Sequence, residues 1–419
     1  MITQAQRKLL FLSSLGGVLE FYDFIIYALL AGYISKEFFP TGNSITSLLA
    51  TFATFSIGYL ARPLGGIIFG HFGDKFGRKS TFTFSILMMA IATFCIGFVP
   101  PYATIGISAP FILTALRVLQ GLSVGGEIPG ALAYVSESIP ERRGFACGVI
   151  LFSLINGIVL GSLIEATLST ILSDQEMRAW GFRLPFFIGG LFGFFSYRLR
   201  LQLEESALFR TIENKIEKLP MLKVFQSKLV NALAGIFIVG LCASLITLLF
   251  LFIPAYLSNV LRIHSQIFIW AQTLSIFIST FLCILCGALA DKVNHKLLIG
   301  ILCILTIIFI YPIFLIYAKY FSYFWLALSL SALLNGLAAG VVPGFLSELF
   351  PTQIRYSGVA ISYNFGFAIF GGLTPLIAMT LIYKTNWVMA PIFYSIFTAI
   401  LALIALRFVK PIHLTKKES

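Results

Sequence analysis

The chain has 419 residues, of which 58% are hydrophobic and 11% charged, against about 25% charged in ordinary soluble domains. A mean hydropathy of +0.95 spreads apolar character along the whole length and excludes a soluble protein with a single anchor. The net charge of +12 would suggest nucleic acid in a soluble protein. Here the cations gather in short connections, so orientation in a bilayer explains them and no nucleic-acid partner is expected.

Segments near the roughly 20 residues needed to cross a bilayer fall at 9–33, 45–69, 80–99, 107–134, 145–172, 184–199, 229–257, 266–290, 297–318, 322–346, 356–383 and 388–409. They predict an all-α membrane protein of twelve transmembrane helices. The first segment follows Arg7 and Lys8, but no small-residue cleavage site succeeds it, so it reads as a retained span rather than a signal peptide. It carries Glu20, Asp23 and Tyr27, spaced three and four apart and therefore on one helix face. Neighbouring carboxylates disfavour joint ionisation, which suits proton coupling. The other reading makes them structural partners of Arg62 in the second span and Arg117 in the fourth.

Charges inside a bilayer are costly and persist where a partner or a water-filled cavity receives them. Six are placed deep in the predicted spans, all in the first half: Glu20, Asp23, Arg62, Arg117, Glu127 and Glu165. Arg117 and Gln120 share a face of the fourth span, and Gly121, Gly125 and Gly126 let another helix approach. Glu127 lies about 15 Å further along that axis, so Arg117 and Glu127 each need a partner from another span or from a substrate. Glu165 in the fifth span is either part of a proton path or a partner of Arg62 or Arg183.

The loop Gly70-His71-Phe72-Gly73-Asp74-Lys75-Phe76-Gly77-Arg78-Lys79 returns 217 residues later as Gly287-Ala288-Leu289-Ala290-Asp291-Lys292-Val293-Asn294-His295-Lys296. Ser136-Glu137-Ser138-Ile139-Pro140 returns as Ser347-Glu348-Leu349-Phe350-Pro351. Two halves built to one plan mark a duplicated transporter whose function lies between them. The charged stretch 200–228 reads as a cytoplasmic tether between halves at 1–199 and 229–419. With both termini inside, 21 of the 29 Lys and Arg face the cytoplasm and 6 face outward, which sets the orientation.

No cofactor or metal is expected. Cys283-x-x-Cys286 lacks a second pair or ligating histidines, and Gly73 to Ser80 lacks the Gly-Lys-Ser/Thr ending of a phosphate loop. No nucleophile–base pair suggests an enzyme. The second half offers uncharged polar and aromatic residues at plausible depth: Tyr256, Gln272, Asn335, Tyr363 and Asn364.

Five stretches carry a sharper signal: GGVLEFYDFIIY from Gly16, ARPLGGIIFGHFGDKFGRK from Ala61, RVLQGLSVGGE from Arg117, WGFRLPFF from Trp180 and FPTQIRY from Phe350. Together they resemble the metabolite:proton symporters of the major facilitator superfamily, which include proline/betaine, 2-oxoglutarate, citrate and shikimate transporters. The resemblance implies a rocker-switch carrier of two pseudo-symmetric six-helix bundles around one central site. It also implies a conformational latch at Asp74, Gly77 and Arg78, whose aspartate faces the start of the eleventh helix. Glu137, Arg143, Asp291, Glu348 and Arg355 are expected in the same cytoplasmic network, with helix-end capping as the other role for Glu137, Glu348 and Arg355. Asn294 and His295 replace Gly and Arg in the second copy, which predicts a weaker latch there. The tail after Arg407 has no heptads, so no gating by osmolality through a coiled coil is expected.

The reading that follows is a monomeric, multi-pass transporter of a bacterial inner membrane that imports a small polar metabolite with protons. Coupling falls to Glu20, Asp23, Glu127 and Glu165, and substrate contact to Tyr27, Arg62, Arg117, Gln120 and the five second-half residues. Aromatic faces suit a quaternary ammonium and arginines a carboxylate, so a zwitterion and an organic acid both stay open. A proton-independent exchanger or exporter, or a substrate sensor, are the alternatives.

Overall fold

The structure is a computed structural model that describes residues 10, 14, 17–18, 21–23, 26–76, 78–201, 224, 226–351 and 354–409, with the backbone alone at 70–76, 78–83, 127, 134, 137–138 and 199–200. Every regular element among the described residues is helical, as hydrocarbon requires of a chain whose backbone groups must pair within their own segment. Nine helices there are long and apolar enough to cross a membrane, from Ser44–Phe69 to Pro391–Phe408. The first span (ending in Ala31–Phe38), the third (Arg78–Phe98) and the sixth (Leu184–Leu201) complete a series in keeping with twelve. Most of the expected tether lies outside the described residues.

The second span runs Ser44–Phe76, well past its predicted end, and the fifth runs Arg143–Ile171. The fourth span reads Ser108–Val124, then Glu127–Ser138 after a turn at Gly125 and Gly126. The seventh and eleventh spans each hold a π-helical insert, Thr247–Phe252 and Phe367–Gly371. Such inserts widen one turn and re-aim the side chains beyond it, often at functional sites.

Two contacts between the halves position the site among the described residues. In one, the fifth span packs antiparallel on the eighth (Gln266–Ala290): Gly144 meets Gly287 at one end, and Gln266 bonds Thr170 at the other. Glycines at 144, 148 and 287 leave backbone against backbone across this seam, the close approach that small residues permit in a membrane. In the other seam, the second span lies on the eleventh, with Ser56 donating to the Gly372 carbonyl and Gly66 opposite Asn364. Within the first half, the second and fourth spans cross so closely that a Cβ on Gly121 or Gly125 would strike the Gly58 or Arg62 carbonyl. Arg62 and Arg117 are carried on these two crossing helices.

Candidate functional site

Arg62 and Arg117 are both fully buried, and each is seated on aromatic rings. Arg117 lies 4.7 Å from the Tyr27 ring centroid and 5.4 Å from that of Phe55. Arg62 lies 5.3 Å from Tyr59, 5.3 Å from Phe367 and 5.9 Å from Tyr363. The rings form one row. Tyr27 stacks on Phe55 at 6.4 Å, Phe55 tilts on Tyr59 at 4.9 Å, Tyr59 stacks on Phe367 at 6.5 Å, and Phe367 stacks on Tyr363 at 4.5 Å. The row starts on the first span, crosses the second and ends on the eleventh, with one arginine toward each end. The eleventh-span π insert begins at Phe367, the residue that carries the row from the second span onto the eleventh.

Gln120 fixes the Arg117 end. Its Oε1 accepts from Arg117 Nη1 at 2.7 Å, while Nε2 donates to Thr93 Oγ1 at 2.8 Å and to the Asp23 carbonyl at 3.3 Å. Both ends of the amide are thus used, which determines which way it points. Asp23 is buried, and its carboxylate lies where a Cβ on Gly189 or Gly193 of the sixth span would meet it. Opposite Arg117, Gly58 leaves room for the guanidinium: a Cβ there would stand 3.2 Å from Nη2.

The second-half candidates divide. Tyr363 joins the ring row, and Asn364 donates to the Gly125 carbonyl at 2.6 Å beside the turn in the fourth span. Tyr256, Gln272 and Asn335 direct their hydrogen bonds within the second half, to the carbonyls of Val388, Phe250 and Ser331. Depth alone suggested these three, and the structure directs their donors away from the arginine row, that of Asn335 to the preceding turn of its own helix. Tyr256 keeps an indirect link, since its ring stacks on Phe252, which tilts against Phe52 of the second span.

Glu20 and Gly77 lie outside the described residues, as do the side chains of Asp74, Arg78, Glu127 and Glu137. Glu165 is buried on the fifth span and pairs with neither arginine suggested by the sequence. Arg183 instead donates to the carbonyls of Gly97 and Val99 at 2.8 and 2.7 Å, and Arg62 is seated on its rings.

The second copy of the loop is engaged despite its altered residues. Asp291 accepts from the backbone N–H groups of Gly144 and Phe145 at 2.7 and 2.9 Å, capping the start of the fifth span from the other half. An anion at a helix N-terminus satisfies free N–H groups and the helix dipole together. Asn294 accepts from Lys296 N and caps the ninth span. His295 takes the place of an arginine, with Nδ1 3.2 Å from Glu348 Oε1. Arg355 is buried and donates to the Ser347 carbonyl at 3.0 Å; Arg143 Nε donates to Pro140 at 3.3 Å. At the opposite end, Ser162 and Thr273 hydroxyls meet at 2.6 Å, and Gln266 bonds Ala166, Ser169 and Thr170. The halves therefore touch at both ends, and the arginine row lies between the closures.

The sequence profile of the Major Facilitator Superfamily matches residues 13–365. The chain belongs to that family. It is a multi-pass membrane transporter, and its closeness to curated relatives is substantial. A putative proline/betaine transporter of Staphylococcus aureus (strain COL) is 32% identical over 412 residues, covering 96% of this chain and 88% of the relative. The proline/betaine transporter of Salmonella typhimurium is 34% identical, covering 95% and 82%. The glycine betaine/proline/ectoine/pipecolic acid transporter OusA of Dickeya dadantii is 34% identical, covering 96% and 83%. The solved structure of the proton:xylose symporter XylE with a bound bromodeoxyglucose matches with a TM-score of 0.78 at 15% identity, covering 97% of this chain and 96% of that one. At that identity the likeness speaks for the fold alone.

Sequence reasoning missed Phe55, Tyr59, Thr93 and Phe367. Phe55, Tyr59 and Arg62 follow at spacings of four and three, and Phe367 follows Tyr363 by four, so helical spacing from the arginine could have found the rings. Nothing in the sequence singled out Thr93.

Proposed function

We propose that the protein is a proton-coupled symporter that imports a small zwitterion of the proline/betaine type by alternating access. The observation that carries this reading is the ring row with arginines toward its ends, shared between the two halves. A guanidinium offers a fork of donors to a carboxylate, and an aromatic face attracts a quaternary or secondary ammonium. A zwitterion needs both, a few ångströms apart. The names of the most similar relatives support the same substrate class.

In this reading the first and second halves, joined by the tether at 200–228, rock about the row. Asp23 takes part in coupling through its place beside Gln120, and the Asp291 cap holds the cytoplasmic side shut. Both termini face the cytoplasm of a bacterial cell, the membrane is the inner one, and the carrier acts as a monomer. The presence of two arginines favours one second reading, an organic acid with two carboxylates.

Saturable uptake of labelled glycine betaine, proline, 2-oxoglutarate and citrate into proteoliposomes separates the two. Uptake of betaine or proline, with the acids failing to compete, is the expected outcome. Uptake confined to 2-oxoglutarate or citrate would overturn the zwitterion assignment.

A further inference from the structure

Glu165 is the buried acid that the arginine row does not use. It is 7% exposed, and among the described residues it makes no hydrogen bond or ion pair. Its position follows from its helix. Gly157 faces Val18 and Tyr22, and one turn later Gly161 faces Tyr22, Ile26 and Leu29. Glu165, a further turn on, continues that face toward the end of the first span. On the adjacent face, Ser162, Ala166, Ser169 and Thr170 meet the eighth span. The acid therefore stands where the first, fifth and eighth spans converge, at the seam between the halves. Matching levels along the paired spans puts it about 10 Å further toward the outer end than Asp23.

We propose that Glu165 binds and releases a proton during the transport cycle, holding it while the outer end of this seam is closed. This rests on the symport reading above. An ionised carboxylate without a cation or donor is poorly tolerated in a low-dielectric interior, so with the seam closed the neutral acid is the form that fits. When the fifth and eighth spans part, water reaches the carboxyl, and it exchanges its proton with that water; no other bond is made or broken.

The groups facing it match this role. Beside it, against the adjacent face of the fifth span, the eighth presents Gln266, Trp270 and Thr273, none of which titrates in the working range. The first span presents Tyr33, which lies within electrostatic range of Glu165 and of the Asp174–Arg178 pair. Lys36 stands beyond it, in range of that same pair.

The test compares Glu165→Gln and Glu165→Asp with the unaltered protein in proteoliposomes, using labelled glycine betaine and proline. Three readings are taken: accumulation driven by an inward proton gradient, exchange without a gradient, and the pH profile of uptake. The proposal expects Glu165→Gln to lose accumulation and flatten the pH profile while exchange persists, and Glu165→Asp to restore both. Wild-type accumulation by Glu165→Gln would overturn it. Loss of exchange in both variants would also overturn it, by assigning Glu165 to packing or to substrate binding. Absence of substrate-linked proton movement in the unaltered protein would instead strike the symport reading itself, and is read in a separate arm.

Discussion

Replacing Asp291 by Ala removes the cap that the second half places on the fifth span. Two charge-assisted hydrogen bonds, at 2.7 and 2.9 Å, are lost with the carboxylate. Hydrogen bonds to charged groups are worth about 1.5–3 kcal/mol each, and partial solvent exposure lowers this, so the pair contributes about 2–3 kcal/mol to the closed form. At about 1.4 kcal/mol per tenfold, the closed-to-open ratio at this end falls roughly 30- to 150-fold. The chain contains its own reporters. Cys147 and Cys283 are both buried just inside the cap, and Cys283 Sγ donates across the seam to the Gly148 carbonyl at 3.5 Å. With the other four cysteines replaced by serine, alkylation of these two by a water-soluble maleimide reads the open fraction. Asp291→Ala should raise the alkylation rate by roughly the same factor while the closed form still dominates. An unchanged rate would refute the argument that this carboxylate holds the seam.

Arg62→Lys and Arg117→Lys keep the charge but lose the planar group that stacks on rings and forks onto a carboxylate, so each should raise KM for the zwitterion about tenfold; uptake kinetics check this, and an unaltered KM removes that arginine from the site. Asp23→Asn should abolish accumulation driven by a pH gradient while the protein still folds and elutes as a single species, and unchanged concentrative uptake would exclude Asp23 from coupling. Gly121→Ala forces a methyl group onto the Gly58 carbonyl and should destabilise the crossing of the second and fourth spans by about 1–3 kcal/mol. A thermal melt in detergent equal to that of the unaltered protein would contradict it.

The parts of this architecture that hydropathy governs were legible from the residues. Runs of apolar residues located the spans, and the repeated loop led to Asp291. The i, i+3 spacing of Arg117 and Gln120 anticipated the contact now seen at 2.7 Å. Tyr363 and Asn364 were suggested by their depth, and the structure sets them on the ring row and against the Gly125 carbonyl. What escaped depends on helix rotation and on partners distant in sequence. The spacing of four between Tyr363 and Phe367 pairs those two rings, but a π insert adds a residue to one turn without altering hydropathy, so the spacing does not say that they meet Arg62 across the two halves. Depth was legible but direction was not: the donors of Tyr256, Gln272 and Asn335 go to carbonyls of the second half rather than to the arginine row. For Glu165 the sequence left open a proton path or a pairing with Arg62 or Arg183, and only the structure shows Arg183 donating to Gly97 and Val99 instead.

As proposed above, this membrane transporter moves a zwitterion together with protons. The most direct test loads proteoliposomes with the same concentration of labelled glycine betaine inside and out, then imposes an inward proton gradient. The account predicts net uptake against the developing substrate gradient, abolished by a protonophore. Continued equality of the two compartments, with rapid exchange across the membrane, would contradict proton coupling and leave an exchanger in its place.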